Sequence, residues 1–257
     1  MKIMIIGAGK MGSWFAKELA WTNDVVIYDK EPNKKQDIER IKSFDKLSSI
    51  KTFKPELLLN AVSLKNTVLA FREAMPFIEK GCIIADIASI KGDLKDFYKT
   101  CGFDFVSMHP MFGPTFANMG SLKNENIIFI KNSCKEGITF FKDFFSRYHL
   151  KFFEYTFEEH DEMMANSLTL PFLCSMAFAG SIKKDVVPGT TFERHLKIAR
   201  KLLKEDDSLL GEILFNAHSI TKLNLITGRL EYLRHIIMAK DQEELSSFLK
   251  KLRENVG

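Results

Sequence analysis

Three short groups of residues in this chain are spaced for chemistry. The first, Gly7-Ala8-Gly9-Lys10-Met11-Gly12, is a G-x-G-x-x-G turn that follows an apolar run at the N-terminus and opens a helical pattern. In that setting the first glycine permits a tight turn, the second lets the backbone approach a pyrophosphate, and the third lets the helix lie close on its strand. The N–H groups at the helix start, Lys10 and Met11 among them, offer donors and partial positive charge to phosphates. Asp29 ends the next apolar run. A carboxylate there accepts hydrogen bonds from both ribose hydroxyls and repels a 2′-phosphate, which favours NAD. Lys30, Lys34 and Lys35 are able to hold that phosphate and keep NADP as the alternative.

The second group is Asp86-Ile87-Ala88-Ser89-Ile90-Lys91, and the third runs from Ser107 through His109-Pro110-Met111-Phe112-Gly113-Pro114 to Thr115. His109 sits at the end of an apolar run, and the Pro and Gly beyond it fix a rigid loop. An imidazole in that place titrates near neutrality and serves as a general base. Ser89 lies on a loop of the same kind, and Ser63 falls just past the run Leu57–Val62. All three groups call for one sheet edge to bring them together.

The elements that would do so are readable. Short apolar runs at 2–6, Val25–Tyr28, Leu57–Val62, Cys82–Ile87, Phe103–Met108, Asn126–Ile130 and Lys151–Tyr155 alternate with helical spacing at 10–21, Thr67–Phe77, Gly92–Thr100 and Glu136–Tyr148. This alternation predicts βαβ units and a doubly wound parallel sheet, a Rossmann fold, over residues 1–156. Ligands of such sheets bind outside the carboxyl ends of the strands. From 157 to 257 the strand signal stops. Helices are expected at Glu158–Ala179, Phe192–Lys204, Ser208–Ala239 and Asp241–Asn255, so the second domain is all-α. It is small enough to gain core by pairing with a second copy.

Composition narrows the rest. The 257 residues carry a net charge of +4 with cations and anions interleaved, and no dense basic tract marks a nucleic-acid surface. Cys82, Cys101, Cys134 and Cys174 form no CxxC pair and no metal spacing, so no metal is expected and the thiols read as reduced, in a cytoplasmic protein. The N-terminal apolar run is shorter than a secretory core, and no apolar run reaches the length of a membrane span.

Taken together, Gly7–Gly12, the Asp86–Lys91 loop and above all His109–Pro114 resemble the prephenate/arogenate dehydrogenase family of tyrosine biosynthesis. His160-Asp161 and the run Lys197-Ile198-Ala199-Arg200-Lys201-Leu202-Leu203, with Asp206 beyond it, match the same family. The resemblance implies an NAD(P)-dependent oxidative decarboxylation. His109 would remove the ring-hydroxyl proton while hydride leaves C4 for the nicotinamide, and CO₂ departs as the ring becomes aromatic. By the same resemblance Ser89 would hydrogen-bond His109 or the substrate hydroxyl. A cation of the helical domain, Arg200 or Lys201, would hold a substrate carboxylate, and the protein would be a homodimer. Many members carry one or two histidines about ten residues after the His-Asp pair. Here Leu168-Thr169-Leu170-Pro171-Phe172 stands there, with Thr169 as the candidate replacement, which leaves the choice between prephenate and arogenate open. His160-Asp161 reads as a cap or brace of a helix near the domain junction. The competing readings are a non-catalytic dinucleotide-binding regulator, and an imine reductase or β-hydroxyacid dehydrogenase, neither of which calls for the His109-Pro110 loop.

Overall fold

A computed structural model of the chain describes residues 1–35, 41–113, 117–183 and 185–257. Lys34 and Lys35 are described in backbone only, and Pro114 and Thr115 of the His109 loop lie outside the described residues. Eight strands, β1 (Lys2–Ile6), β2 (Asp24–Tyr28), β3 (Lys42–Phe44), β4 (Leu57–Asn60), β5 (Ile83–Asp86), β6 (Phe105–Pro110), β7 (Asn126–Ile130) and β8 (Lys151–Tyr155), form one sheet in the order β3-β2-β1-β4-β5-β6-β7-β8. The strands from β3 to β6 are parallel. β7 runs antiparallel to β6, and β8 parallel to β7. The expected doubly wound sheet is present, with its last two strands reversed. The order changes direction between β1 and β4, which places a crevice at their carboxyl ends.

The central strands β1, β2, β4, β5, β6 and β7 are largely apolar because both faces are covered, whereas the edge strands β3 and β8 are largely exposed. On one face Ile3, Ile5, Ile27, Leu57, Leu59, Met108 and Phe129 pack on Phe15 and Leu19 of α1 (Lys10–Leu19). Met4, Ile6, Val26, Leu58 and Ile84 point to the other face, onto Phe71, Phe97 and Tyr98. The short helix α2 (Ile50–Phe53), then α3 (Leu64–Ala74) and α4 (Leu94–Thr100), belong to this second layer, and α5 (Lys135–Ser146) returns to the first through Phe141 and Phe145. The abundance of Phe is therefore packing. Phe71 stacks on Phe97, and Tyr98 stacks on Phe105 with ring centroids 4.1 Å apart. Burying each such ring contributes about 1.5–3 kcal/mol.

After β8 the described chain is helical: α6 (Phe157–Met164), α7 (Leu170–Ser181), α8 (Thr190–Leu202), α9 (Asp207–Leu214), α10 (Ser219–Ala239) and α11 (Gln242–Val256). Thr156 and Glu159 start α6 with a reciprocal capping box, so His160-Asp161 does not cap it. A π turn, Ala165–Thr169, joins α6 to α7. Pro171 explains it: the ring has no N–H to offer Ser167 and would clash with its carbonyl, so the helix widens. Leu170 N–H accordingly reaches back to the Ala165 carbonyl. The expected single helix Ser208–Ala239 is two helices. The break falls at Asn216, whose side chain is buried, donates to the Asp161 carbonyl at 2.8 Å and accepts from His218 N–H at 2.9 Å.

The stretch Phe157–Ser181 is long and apolar enough, by length and composition, to cross a membrane. Its first turns, however, carry Glu158, Glu159, Asp161 and Glu162 and are hydrogen-bonded to the sheet domain. Such groups are costly in hydrocarbon.

Candidate active site

The glycine turn has the geometry its sequence demands. Gly7 lies at φ +102°, and a Cβ there would meet the Ala61 carbonyl carbon at 2.8 Å. A Cβ on Gly12 would stand 1.9 Å from the Gly7 carbonyl oxygen, so only glycine lets α1 lie this close. Gly9 differs: a Cβ there meets nothing within 4 Å. The space over Gly9 is open, and Gly9 is the N-cap of α1 with no side chain covering the first N–H groups and no acidic residue in the first turn. No described residue requires glycine at that place, and with the first N–H groups of α1 uncovered the backbone there is open to a pyrophosphate. Asp29 braces the turn, accepting from Ala8 N–H at 2.7 Å and Glu31 N–H at 2.8 Å. One oxygen takes each donor, and each retains a lone pair for a ribose hydroxyl. Lys10 is exposed and Met11 is half-buried against the core. Ser63, exposed at the N-cap of α3, accepts from the Asn66 amide. Leu64 and Lys65 donate their N–H groups to the carboxylate of Glu212 in α9, so the helical half itself closes the start of α3.

Farther along the same edge, β6 ends in Met108-His109-Pro110. The pleat sends Met108 into the first core layer and His109 to the opposite face, where α6 packs beside β7. There His109 Nδ1 lies 3.1 Å from His160 Nε2, and His160 Nδ1 lies 2.8 Å from Asp161 Oδ1. Asp161 also accepts Lys91 N–H at 2.8 Å and Gly92 N–H at 3.0 Å, which ties the Ser89 loop to α6. Beneath the two rings the fully buried Lys91 ammonium donates to Asp86 at 2.7 Å and to the Met108 carbonyl at 2.8 Å. Asp86 in turn accepts from the Tyr98 hydroxyl at 2.7 Å and from Ala88 N–H at 2.9 Å.

Burial, then the neighbouring His160 and the Lys91 cation, hold the pKa of His109 well below the ordinary histidine value. Burial also lowers His160, against the pull of Asp161. Burial opposes ionisation of Asp161, but the hydrogen bonds from His160, Lys91 and Gly92 prevail and hold its carboxyl below the usual range. Both rings are therefore neutral at neutral pH, and the His160–Asp161 contact is a hydrogen bond rather than an ion pair. His109 Nε2 has no partner among the described residues, and the residue as a whole is 4% exposed.

Two buried neutral histidines make the fold acid-sensitive. Below the unfolded-state pKa of about 6.5 the unfolded chain binds protons that the folded chain refuses, so stability falls as pH falls. The expected slope, from about pH 6.5 down to the lowered folded values, approaches 1.4 kcal/mol per pH unit for each ring. Urea midpoints measured between about pH 7 and 5 check it; a midpoint that stays flat there would mean the rings are solvated.

The remaining sequence candidates fall as follows. Ser89 is half-buried on the loop after β5 and makes no hydrogen bond to His109 among the described residues; His160 occupies Nδ1 instead. Thr169 does not stand in for a substrate-binding histidine. It is fully buried in the helical half, with its hydroxyl bonded to the Ile213 carbonyl at 3.2 Å and facing Ser219. Arg200 and Lys201 lie on α8 along a groove of about 650 Å³ that Arg194, Lys197, Lys204 and Glu193 also line. The structure brings neither of them into hydrogen-bond contact with His109. The buried Lys91–Asp86 ion pair joins residues five positions apart at the end of β5, a spacing visible in the sequence.

A Rossmann sheet with an open glycine turn and a buried base along one edge defines a nucleotide-binding oxidoreductase scaffold. The family model of the prephenate dehydrogenase nucleotide-binding domain matches residues 14–145, just over half of the chain. A probable arogenate/prephenate dehydrogenase of Methanocaldococcus jannaschii is 21% identical over 99% of the chain, and the chain spans 60% of that relative's length. Among solved structures, prephenate dehydrogenase from Aquifex aeolicus, in complex with hydroxyphenyl propionate and NAD+, superposes with a TM-score of 0.83 at 18% identity, covering 99% of this chain and 96% of that one. The arogenate dehydrogenase of Synechocystis gives 0.76 at 16% identity, covering 99% and 98%. The chain belongs to the prephenate/arogenate dehydrogenase family, a family of oxidoreductases. That membership sets aside the imine reductase and β-hydroxyacid dehydrogenase readings.

Proposed function

We propose that the chain is an NAD-dependent prephenate dehydrogenase, converting prephenate to 4-hydroxyphenylpyruvate and CO₂. The observation that carries this reading is His109: neutral, nearly buried, anchored through Nδ1, and bare at Nε2 on the edge where the glycine turn opens. Residues 1–156 would be the dinucleotide-binding domain and 157–257 the substrate and dimerisation domain.

The chain's own residues fit the nucleotide. The N–H groups of Lys10 and Met11 at the start of α1 take the pyrophosphate over Gly9, and Asp29 takes the adenosine ribose, which disfavours NADP. Ser63, past β4, lines the crevice. NAD, when bound, supplies the hydride acceptor. His109 Nε2 takes the proton of the ring hydroxyl, and Ser89, with Nδ1 of His109 engaged elsewhere, holds the hydroxyl oxygen. Aromatisation supplies the driving force, so these residues position groups and relieve charge. Five cations against one carboxylate along the α8 groove suit prephenate, with its two carboxylates, better than arogenate, whose ammonium removes one negative charge. Arg200 is the first choice to grip a carboxylate bidentately, and Lys201 the second.

Homodimerisation through the helical half is supported by α7, which buries no residue, and by exposed Leu223, Leu225, Leu230 and Ile237 on α10. Four unpaired thiols suit a reducing cytoplasm.

Prephenate and arogenate, each offered with NAD and NADP, test the assignment through the absorbance of the reduced nucleotide. Prephenate with NAD is expected to give the highest kcat/KM. Nucleotide binding with no reduction from either substrate would leave the non-catalytic regulator. A Gly9→Val variant probes the cradle separately. Its Cβ has room in the fold while the side chain enters the open space, so nucleotide affinity is expected to fall at least about tenfold, a loss of about 1.4 kcal/mol, in a protein that still folds with at most the small loss of melting temperature that a poorer N-cap brings. Unaltered affinity by calorimetric titration would place the phosphates elsewhere.

A further inference from the structure

His160 and Asp161 have more to do than hold a helix in place. A carboxylate at neutral pH only accepts hydrogen bonds, so the proton in the 2.8 Å contact between Asp161 and His160 belongs to His160 Nδ1. The neutral ring then has a bare Nε2, and Nε2 is the atom 3.1 Å from His109 Nδ1. That contact needs one proton, and only His109 is left to give it. Its Nδ1 is thereby protonated and its Nε2 bare. The Asp161 carboxylate is itself locked, because the backbone N–H groups of Lys91 and Gly92 fix its two oxygens. The Asn216 amide, bonded to the Asp161 carbonyl, holds the same residue from the helical side.

We infer that the His160–Asp161 pair of α6 sets the tautomer of His109, leaving Nε2 as its basic atom, and takes over the positive charge when that atom is protonated. His160 and Asp161 are positioning residues in this scheme; neither touches the reacting atoms. The step balances within the three side chains. A proton from the substrate hydroxyl bonds to His109 Nε2, the His109 Nδ1–H bond breaks as its proton passes to His160 Nε2, and the charge comes to rest on the ring that touches a carboxylate. Without the second ring the charge would stay on His109, which touches no carboxylate among the described residues. The proton-transfer part rests on the dehydrogenase reading above; the tautomer does not.

Long-range proton–nitrogen spectra of the ¹⁵N-labelled whole chain read the ring nitrogens directly, with His109 assigned by its loss in His109→Asn. The expected spectrum shows His109 protonated at Nδ1 and bare at Nε2, and His160 likewise. In His160→Phe the proton of His109 is expected to move to Nε2, because the buried Nδ1–H has lost its acceptor. In His160→Gln, whose amide oxygen can accept, it is expected to return to Nδ1. Turnover should follow, falling about 10²-fold or more in the Phe variant, toward the scale on which a base held in the wrong tautomer loses rate, and recovering in large part in the Gln variant. A wild-type His109 protonated at Nε2 overturns the inference, even if His160→Phe does not fold. So does a folded His160→Phe with His109 unchanged. Correct tautomers in a protein that reduces no nucleotide would overturn the dehydrogenase reading and leave the tautomer control standing.

Discussion

Replacing His109 with Asn is expected to lower turnover by about 10²–10⁴-fold, the range that a positioned acid–base group contributes, while nucleotide affinity is unchanged. The variant tests chemistry rather than folding. An Asn amide can still donate toward His160 Nε2, so the buried link between β6 and α6 has a partner, and the glycine turn is far along the sheet edge. Steady-state kinetics with calorimetric nucleotide titration separates the two effects. The pH profile carries an independent sign. His109 acts as a base only when neutral, so the rate falls on acidification as the ring takes up a proton. Its pKa lies well below the ordinary 6.5, so the fall begins on the acid side of that value and the rate is flat in this group through neutrality. A wild-type break above about pH 7, or full turnover in His109→Asn, would remove this imidazole from the mechanism.

Removing the cation beneath it is expected to cost stability on a similar scale. Lys91→Met leaves the Asp86 carboxyl in a site with no exposure, still held by Tyr98 and Ala88 but without its cationic partner. Breaking one half of a buried pair costs about 3–5 kcal/mol. Adding Asp86→Asn to Lys91→Met removes the orphaned charge and should recover most of that loss, although either change alone is damaging. Urea unfolding of both single variants and the double variant reads the coupling. A loss below about 1 kcal/mol in Lys91→Met, typical of exposed pairs, would show that water reaches the pair. The same substitution removes a cation that lowers both histidines, so the acid limb of the rate profile should move toward neutrality.

Much of the scaffold was legible because its strands are apolar runs too short to be anything else and its glycines do separate jobs. Gly7, Gly9 and Gly12 fall into a positive-φ turn, an open cradle and a close helix approach, as their spacing demands. Where sequence reading fell short, long-range contacts decided. β3 was missed because Lys42-Ser43-Phe44 is an edge strand of three residues with little apolar signal. The helix expected over Ser208–Ala239 is interrupted by Asn216 reaching back to Asp161, a contact between residues 55 apart. Thr169 looked like a substitute ligand because it stands where relatives place histidines, yet the π turn before Pro171 leaves it in the helical core with its hydroxyl spent. His160-Asp161 read as a brace. The brace is there, in the bonds to Lys91 and Gly92, but the adjacency that matters runs to His109, 51 positions away.

One stoichiometry tests the central assignment most directly. Prephenate labelled in its ring carboxylate, mixed with NAD and the purified chain, should yield reduced nucleotide and labelled CO₂ in equal amounts, each appearing only when the other does. Release of CO₂ without reduced nucleotide, or no reduced nucleotide at all while the nucleotide stays bound, would contradict a base at His109 working against a hydride acceptor.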